Sequence, residues 1–398
     1  MKVTLLGQFF PPETFAGANR IAAMAAALAA SADVRVVTPA PSYPDPALYR
    51  AVDPATIRIA DRVAVRRTAA FVPHGRGLVA RALGEQRMAL GLLRAAAAYP
   101  TDLVVASSPG MFIGPAALVL ARLRRVPFVW DIRDVTWTYA RERATTRLAR
   151  VATAALARTM WAVARRADLL VAANAGIARQ LAAHGNTRVL TVENAIDSEL
   201  LPLLDPSPAT TAERPIVTYA GLIGRAQALG ILCDVAALVP EADFHVAGDG
   251  PERAAIAASA ERRRIANLTF HGYLRPDVLA GLYHRSSILF AQLHRSELHT
   301  ATALPSKLHE YMAAGRPLVY AGDGFAAETI ATIGSGVTVE PNDAASIAAA
   351  VRELLASPEA ARRAGLAGRR YVEEQPSRRE AMAPLVAAVE RLSQRRAR

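Results

Sequence analysis

The segment ALPSKLHEYMAAGRP, residues 303–317, places Lys307 and Glu310 three residues apart, just after Pro305 and Ser306. Its pattern predicts a loop, a helix from Ser306 to Ala314 closed by Gly315, and a strand from Pro317 to Tyr320. A lysine in the first turn of a helix opposes the helix dipole, so an anion held there relieves an unfavourable placement. The chain has 47 Lys and Arg residues, of which only Lys2 and Lys307 are lysines, so a sequence that otherwise writes its cations as arginine keeps lysine here. Lys307 is read as a phosphate contact, the alternative being a solvated surface lysine. Glu310 has two oxygens with which to accept neighbouring ribose hydroxyls, the alternative being a carboxylate that merely suits the dipole.

Other glycine turns follow the same logic. YAGLIGRAQALG, residues 219–230, sets Gly221 and Gly224 around Arg225, whose guanidinium fork suits a diphosphate; a solvated surface arginine is the competing reading. VAGDGPE places Gly248 after an apolar run, and FHGYLR places Tyr273 where a base can lie against it. In the first half, FFPPETFAGANR brings Gly17 and Asn19 to a strand–turn–helix junction, where free N–H groups favour anions. The run ending in Asp131, Arg133 and Asp134 offers a carboxylate to orient an acceptor hydroxyl, or an Asp–Arg ion pair that only closes the loop. Asn194 in ENAID caps a turn or touches a ligand.

These residues need strands to carry them. Short β-branched runs alternate with Ala/Leu-rich stretches, which predicts parallel sheets wrapped by helices. Strands are expected at 2–8, 34–38, 63–67, 103–106, 128–131, 169–172 and 189–192, then at 216–220, 244–247, 268–270, 288–290, 317–320 and 337–339. Residues 201–214, rich in Pro, Thr and Ser, read as a linker. The expected architecture is α/β: a domain over 1–205, a second over 206–376, and a last helix over 377–398 packing back on the first.

Composition excludes several classes. The single cysteine, Cys233, rules out an intramolecular disulfide and a CxxC zinc site. The most apolar internal stretch, Met111 to Ala121, falls well short of the ~20 residues that span a bilayer. The N-terminus has no signal-peptide core, so a cytoplasmic protein is expected. Net charge is +12, and residues 1–205 hold 25 Lys and Arg against 15 Asp and Glu, so the excess lies in the first half. An anionic partner is implied for that half. No nucleic-acid recognition motif or stacking aromatic set accompanies it, so nucleic acid is not the expected partner.

With these motifs in view, the sequence resembles the retaining GT-B glycosyltransferases of family four across nearly its whole length. The likeness rests on QFFPPETFAGANR, VENAID, AGDGP, FHGY and ALPSKLHEYMAAGRPLV, in register. Within the family it looks most like bacterial enzymes of O-antigen, capsule or exopolysaccharide synthesis, some of which transfer N-acetylfucosamine. The resemblance implies two Rossmann-like domains facing across a cleft, a nucleotide-sugar donor, usually UDP-linked, on the second, and a lipid-linked or saccharide acceptor on the first. It implies neither a cofactor nor a catalytic metal. Carried over, Asp131, Lys307 and Glu310 are the catalytic candidates. Gly17, Gly221, Arg225, Gly248, Tyr273, Ser306 and Leu308 join Lys307 and Glu310 around the donor, and Asn19, Arg133 and Asp134 face the acceptor.

The chain departs from its relatives at Thr302, where many carry a first glutamate, and at Leu222 and Gln227, where Arg and Lys are common. Two other readings share the architecture: a sugar-nucleotide epimerase, and a catalytically degenerate sugar-nucleotide-binding subunit.

On the acceptor side, residues 58–94 carry Arg58, Arg62, Arg66, Arg67, Arg76, Arg81, Arg87 and Arg94 against Asp61 and Glu85. Residues 78–98 read as a helix with Arg87 and Arg94 on one face beside Leu83, Leu90 and Leu93. This predicts peripheral binding to the inner face of the cytoplasmic membrane, with core leucines under a solvated arginine face as the alternative.

Overall fold

The computed structural model describes residues 1–13, 16–42, 46–53, 57–71, 78–142, 144–197, 199–207, 214–296 and 304–397. Thr302, Arg76 and residues 208–213 of the expected linker lie outside them. The chain forms two compact units, Met1–Asn194 with Arg378–Arg398, and Ala195–Ser377.

The first unit runs β1 (Lys2–Gly7), α1 (Ala16–Leu28), β2 (Asp33–Pro39), β3 (Val63–Thr68), α2 (Leu78–Ala97), β4 (Leu103–Ser107), α3 (Ile113–Arg124), β5 (Phe128–Ile132), α4 (Thr136–Glu142), α5 (Arg147–Ala164), β6 (Leu169–Ala172), α6 (Ala175–Ala183) and β7 (Val189–Thr191). Its seven strands lie in the order β3-β2-β1-β4-β5-β6-β7, all parallel. β1, β4 and β5 bury nearly every side chain, as central parallel strands covered on both faces must. On one face Ile21, Met24 and Leu28 of α1 pack on Leu5, Val36 and Val105, together with Met382, Leu385 and Val389 from the chain's end.

The second unit runs β8 (Ile216–Ala220), α7 (Leu232–Leu238), β9 (Asp243–Ala247), α8 (Arg253–Arg262), β10 (Leu268–Gly272), α9 (Pro276–Arg285), β11 (Ile288–Gln292), α10 (Lys307–Ala313), β12 (Leu318–Ala321), α11 (Gly324–Ile333), β13 (Gly336–Val339), α12 (Ala344–Ala356) and α13 (Pro358–Glu374). Its sheet has the order β10-β9-β8-β11-β12-β13, again all parallel. A last helix, α14 (Ala383–Ala397), returns to the first unit. Both units have the doubly wound form expected of the GT-B fold.

The division falls after Asn194 rather than after residue 205. Ile196 and Leu204 are buried with Tyr283, Tyr311 and Met312 of the second unit, so the segment that leaves the first sheet already belongs to the second core. At the other end the second unit runs to Ser377. No helix among the described residues is long and apolar enough to cross a membrane.

Two glycines show how closely helices are seated. A Cβ on Gly365 of α13 would lie 2.2 Å from the Gly315 carbonyl oxygen, whereas one on Gly91 of α2 would meet nothing within 4 Å. Gly365→Ala is expected to lose about 1–3 kcal/mol by overpacking, and Gly91→Ala to gain about 0.5–1 kcal/mol of helix stability. Urea midpoints of the two variants check both signs.

Candidate functional site

In the second unit the chemistry gathers where β8 and β9 end. Gly221 follows β8 with φ +132° and Gly248 follows β9 with φ +128°, a region side-chain-bearing residues rarely enter. The two turns nest backbone on backbone. The Gly221 N–H donates to the Ala247 carbonyl at 2.9 Å, and the Ile223 N–H to the Asp249 carbonyl at 2.9 Å. A Cβ on Gly248 would stand 1.9 Å from the Gly221 oxygen, and one on Gly250 2.4 Å from the Ile223 oxygen. Only glycine allows this approach.

Lys307 closes the other side of the turn. A Cβ on Gly221 would be 2.7 Å from the Lys307 Nζ, so the ammonium rests on the Gly221 α-carbon. Nζ donates to the Tyr219 hydroxyl at 2.5 Å and lies 3.9 Å from that ring's centroid, a cation–π contact. The Tyr219 hydroxyl in turn donates to the Leu222 carbonyl at 2.5 Å. Burial pushes the Lys307 ammonium down to about 7, against a smaller upward pull from Glu310. Burial, with Glu310 beside it, pushes the Tyr283 phenol up, and Glu310 also hydrogen-bonds that phenol.

Helix α10 is held in register with β8. The Tyr311 hydroxyl accepts from the Ala220 N–H at 2.7 Å and donates to the Ala220 carbonyl at 3.0 Å. Its carboxyl end is capped by Gly315 with φ +66°, and Arg369 of α13 donates to the free Ala313 carbonyl at 2.6 Å. Beside it, the buried Gln292 amide donates to the Gln227 and Ala228 carbonyls at 3.1 and 2.9 Å and to Asn342 Oδ1 at 3.1 Å. That amide fixes the turn carrying Arg225. The Gln227 side chain also accepts from the Gly224 N–H at 3.2 Å, so at this departure from the relatives the residue staples its own loop.

The expected donor residues thus come together unevenly. Lys307, Gly221 and Gly248 meet directly. Arg225 is 78% exposed and reaches Glu252 only at 3.7 Å, which leaves its fork turned to solvent. Tyr273 stands exposed after Gly272. Ser306 precedes α10 without a side-chain cap bond. Leu308 is corrected: its side chain is fully buried in the core, and its N–H donates to the Pro305 carbonyl at 2.9 Å, so neither is available to a ligand.

In the first unit Asp131 is corrected as well. Its carboxylate is completely buried, accepts two bonds from Arg20 Nε at 3.1 and 3.2 Å and one from Nη2 at 2.8 Å, and accepts the Ser107 hydroxyl at 2.7 Å. Arg20 Nη1 donates to Asn194 Oδ1 at 3.1 Å. The ion pair anticipated for this loop exists, but its cation is Arg20, from α1, rather than Arg133. Such a carboxylate positions α1 against β4 and β5; it has no exposed oxygen with which to take a proton. Gly17 is buried in the first turn of α1 and Asn19 is half-buried.

Arg133 and Asp134 lie half-buried past β5. Burial pushes the Arg133 guanidinium down, Asp134 pulls it back, and its Nε has no hydrogen-bond partner among the described residues. On α2, Arg87 and Arg94 are exposed together with Leu83 and Leu90, so those two leucines are not core residues.

Sequence reasoning missed Arg20, Tyr219, Tyr311 and Gln292. Arg20 stands in the quoted AGANR motif, and Tyr219 directly before the glycine turn, so both were within sight; their partners, 111 and 88 residues away, were not.

Residues 204–371 match the family described as glycosyl transferases group 1, and residues 16–195 match the glycosyl transferase 4-like domain. A glycogen synthase of Mycobacterium tuberculosis is 28% identical over 393 residues, covering 93% of this chain and 89% of that protein. Among solved structures, sucrose-phosphate synthase from Thermosynechococcus elongatus superposes with a TM-score of 0.74 at 17% identity, covering 99% of this chain and 98% of that one. HepE of Anabaena, solved with UDP and glucose, superposes with a TM-score of 0.67 at 15% identity, covering 100% and 98%.

The buried pair yields a test. Arg20→Met strands a buried carboxylate and is expected to cost about 3–5 kcal/mol, while replacing both Arg20 and Asp131 by apolar residues recovers most of the loss. Denaturant unfolding of the single and double variants measures this. An Asp131→Asn variant that keeps full stability would contradict the positioning role.

Proposed function

We propose that this chain, a glycosyltransferase of the GT-B fold, transfers a sugar with retention of configuration from a UDP-linked donor to a lipid-linked or saccharide acceptor in cell-surface polysaccharide synthesis. The second unit holds the donor and the first the acceptor. The transferred sugar is an acetamido or deoxy sugar, consistent with Thr302 replacing the first glutamate of many relatives.

The observation that carries the donor half is the Lys307 ammonium, packed on Gly221 and Tyr219 and partly stripped of water, which lowers its pKa. A donor diphosphate laid on the nested turns supplies that charge, and Arg225 has a free fork to add from the loop. Glu310 takes the ribose hydroxyls. Tyr273 lies against the base. HepE, whose solved complex holds UDP, offers a precedent for the nucleotide in a protein of the same fold.

In the reaction the acceptor hydroxyl attacks the anomeric carbon from the face that UDP leaves. The bond from that carbon to the phosphate oxygen breaks with its electron pair going to UDP, and the hydroxyl proton passes to the departing diphosphate. Lys307 and Arg225 stabilise the charge that grows on the leaving group, a task that needs no metal when cations are already in place. On the acceptor side, Arg133 Nε lacks a described partner, and a phosphate oxygen of a lipid-linked acceptor supplies one. Asn19 and Asp134 orient the acceptor's hydroxyls. Leu83 and Leu90, exposed beside Arg87 and Arg94, suit attachment to the inner face of the cytoplasmic membrane.

Screening UDP, GDP and dTDP by thermal shift is expected to single out UDP, and Lys307→Met to abolish its stabilisation. The sign with pH follows from the lowered lysine pKa. In the free protein Lys307 is charged below about 7, and a bound diphosphate favours the charged form. Above that pH, therefore, UDP binding takes up a proton and weakens as pH rises. Calorimetry at pH values above neutrality, in buffers of different ionisation enthalpy, reads the uptake. Binding without it, or a Lys307→Met variant that binds UDP as well as the parent, would refute the assignment.

A further inference from the structure

Helix α5 presents a surface that the proposed reaction does not use. Its sequence, RLARVATAALARTMWAVA, contains three arginines and no carboxylate. The C-terminal half is core, with Met160, Trp161, Val163 and Ala164 buried. The N-terminal half is capped by Thr146, whose hydroxyl accepts from the Ala149 N–H at 3.1 Å, yet it exposes Leu148 by 81% and Val151 by 68%.

Beside these residues lies a groove of about 680 Å³, floored by Ala154, Ala157 and Trp161 and flanked by Arg150, Arg158 and His184. The His184 ring stacks on Trp161 at 3.7 Å between centroids. Arg158 has no hydrogen bond or ion pair among the described residues, and Arg150 makes one 3.3 Å bond from Nε to the Ala144 carbonyl. The two arginines are eight residues apart on one helix, about 12 Å along its axis. No described residue lining the groove is acidic.

Helix α3 and, through it, α2 extend the same chemistry. α3 packs against both α2 and α5 and exposes Leu123 and Val119 beside Arg122 and Arg124. The sequences of α2, α3 and α5 together hold eight arginines and one carboxylate. That carboxylate, Glu85, is buried and already accepts from Arg81 Nε and the Met111 N–H, both at 3.1 Å.

We propose that the α5 groove binds the headgroup of an anionic phospholipid, with Arg150 and Arg158 on the phosphate and Leu148 and Val151 entering the acyl boundary. Large apolar side chains interleaved with arginines that have no carboxylate partner among the described residues fit a charged lipid interface better than any other anionic surface. A second copy of the chain would bring arginine against arginine, with no free carboxylate on these helices to compensate. Nucleic acid would use the arginines and leave Leu148 and Val151 in water. The inference deepens the membrane reading proposed above, and it places the seat of attachment on α5 rather than on α2 alone.

Sedimentation of the full chain at low salt, with vesicles of phosphatidylcholine alone or mixed equally with phosphatidylglycerol, tests it. Binding is expected only to the mixed vesicles. Both Arg150→Glu/Arg158→Glu and Leu148→Ser/Val151→Ser are expected to weaken it about tenfold or more. Thermal stabilisation by UDP should persist in both variants, which shows that they are folded and keeps the donor assignment separate. If only Arg87→Glu/Arg94→Glu loses binding, membrane attachment stands and the α5 site falls. Absence of binding by the parent overturns the site and the membrane reading together, leaving the donor site to its own assay. Inorganic phosphate that displaces the vesicles at equal phosphorus concentration would assign the groove to a free anion, duplex DNA binding as tightly as the vesicles would assign it to nucleic acid, and a dimer dispersed by Leu148→Ser/Val151→Ser would make it a self-interface. Each of these also overturns the proposal.

Discussion

The second unit depends on a contact between two backbones. Gly248 approaches the Gly221 carbonyl so closely that no side chain fits between the turns after β8 and β9. The closeness leaves bare main chain after β8 and β9, and the Lys307 ammonium packs against Gly221 where a side chain would otherwise stand. A lysine placed there is half-buried against a tyrosine ring and peptide atoms, and its partial desolvation lowers its pKa toward neutrality. The site therefore holds a cation in a place that favours a partner of opposite charge. Tyr311, through its paired bonds to Ala220, and Arg369 of α13, through its bond to the Ala313 carbonyl, hold the helix that carries the lysine.

A second constraint acts in the first unit. Arg20 and Asp131 form an ion pair with almost no solvent contact, extended to Ser107 and Asn194. Breaking one partner of such a pair costs far more than the pair contributes against an apolar replacement. What it provides is position: α1, the ends of β4 and β5, and the last residue before the chain leaves the unit are tied to one guanidinium. Gly17 and Asn19, a turn or less from Arg20, inherit their placement from it.

Much of this was legible in the sequence because parallel strands buried on both faces are short runs of β-branched and apolar residues, unlike the Ala/Leu-rich helices between them. Runs such as Ile216–Ala220 and Phe128–Ile132 carry that signal without ambiguity. The glycine turns and the Lys307–Glu310 spacing were legible for the same reason, since local chemistry fixes them. Long-range partners were not. Nothing near Asp131 in the sequence announces Arg20, and nothing near Lys307 announces Tyr219, because the fold brings them together across many elements. The unit boundary slipped because Ile196 and Leu204 enter the second core from irregular chain around one 3-10 turn, Leu201–Leu203, where apolar residues carry neither helix nor strand periodicity. Leu308 misled because a residue inside a motif need not touch the ligand that the motif serves.

Lys307, half-buried against Tyr219 and Gly221, is the cation on which the proposed diphosphate would rest. The chain's lysine content makes a direct measurement simple: with only Lys2 and Lys307 present, NMR of lysine labelled at Cε gives two signals, and a Lys2→Arg variant assigns them. One signal should titrate at about 7 and move upward when UDP is added. A Lys307 signal that titrates at the ordinary lysine value of about 10.4, or that is indifferent to UDP, would contradict the account.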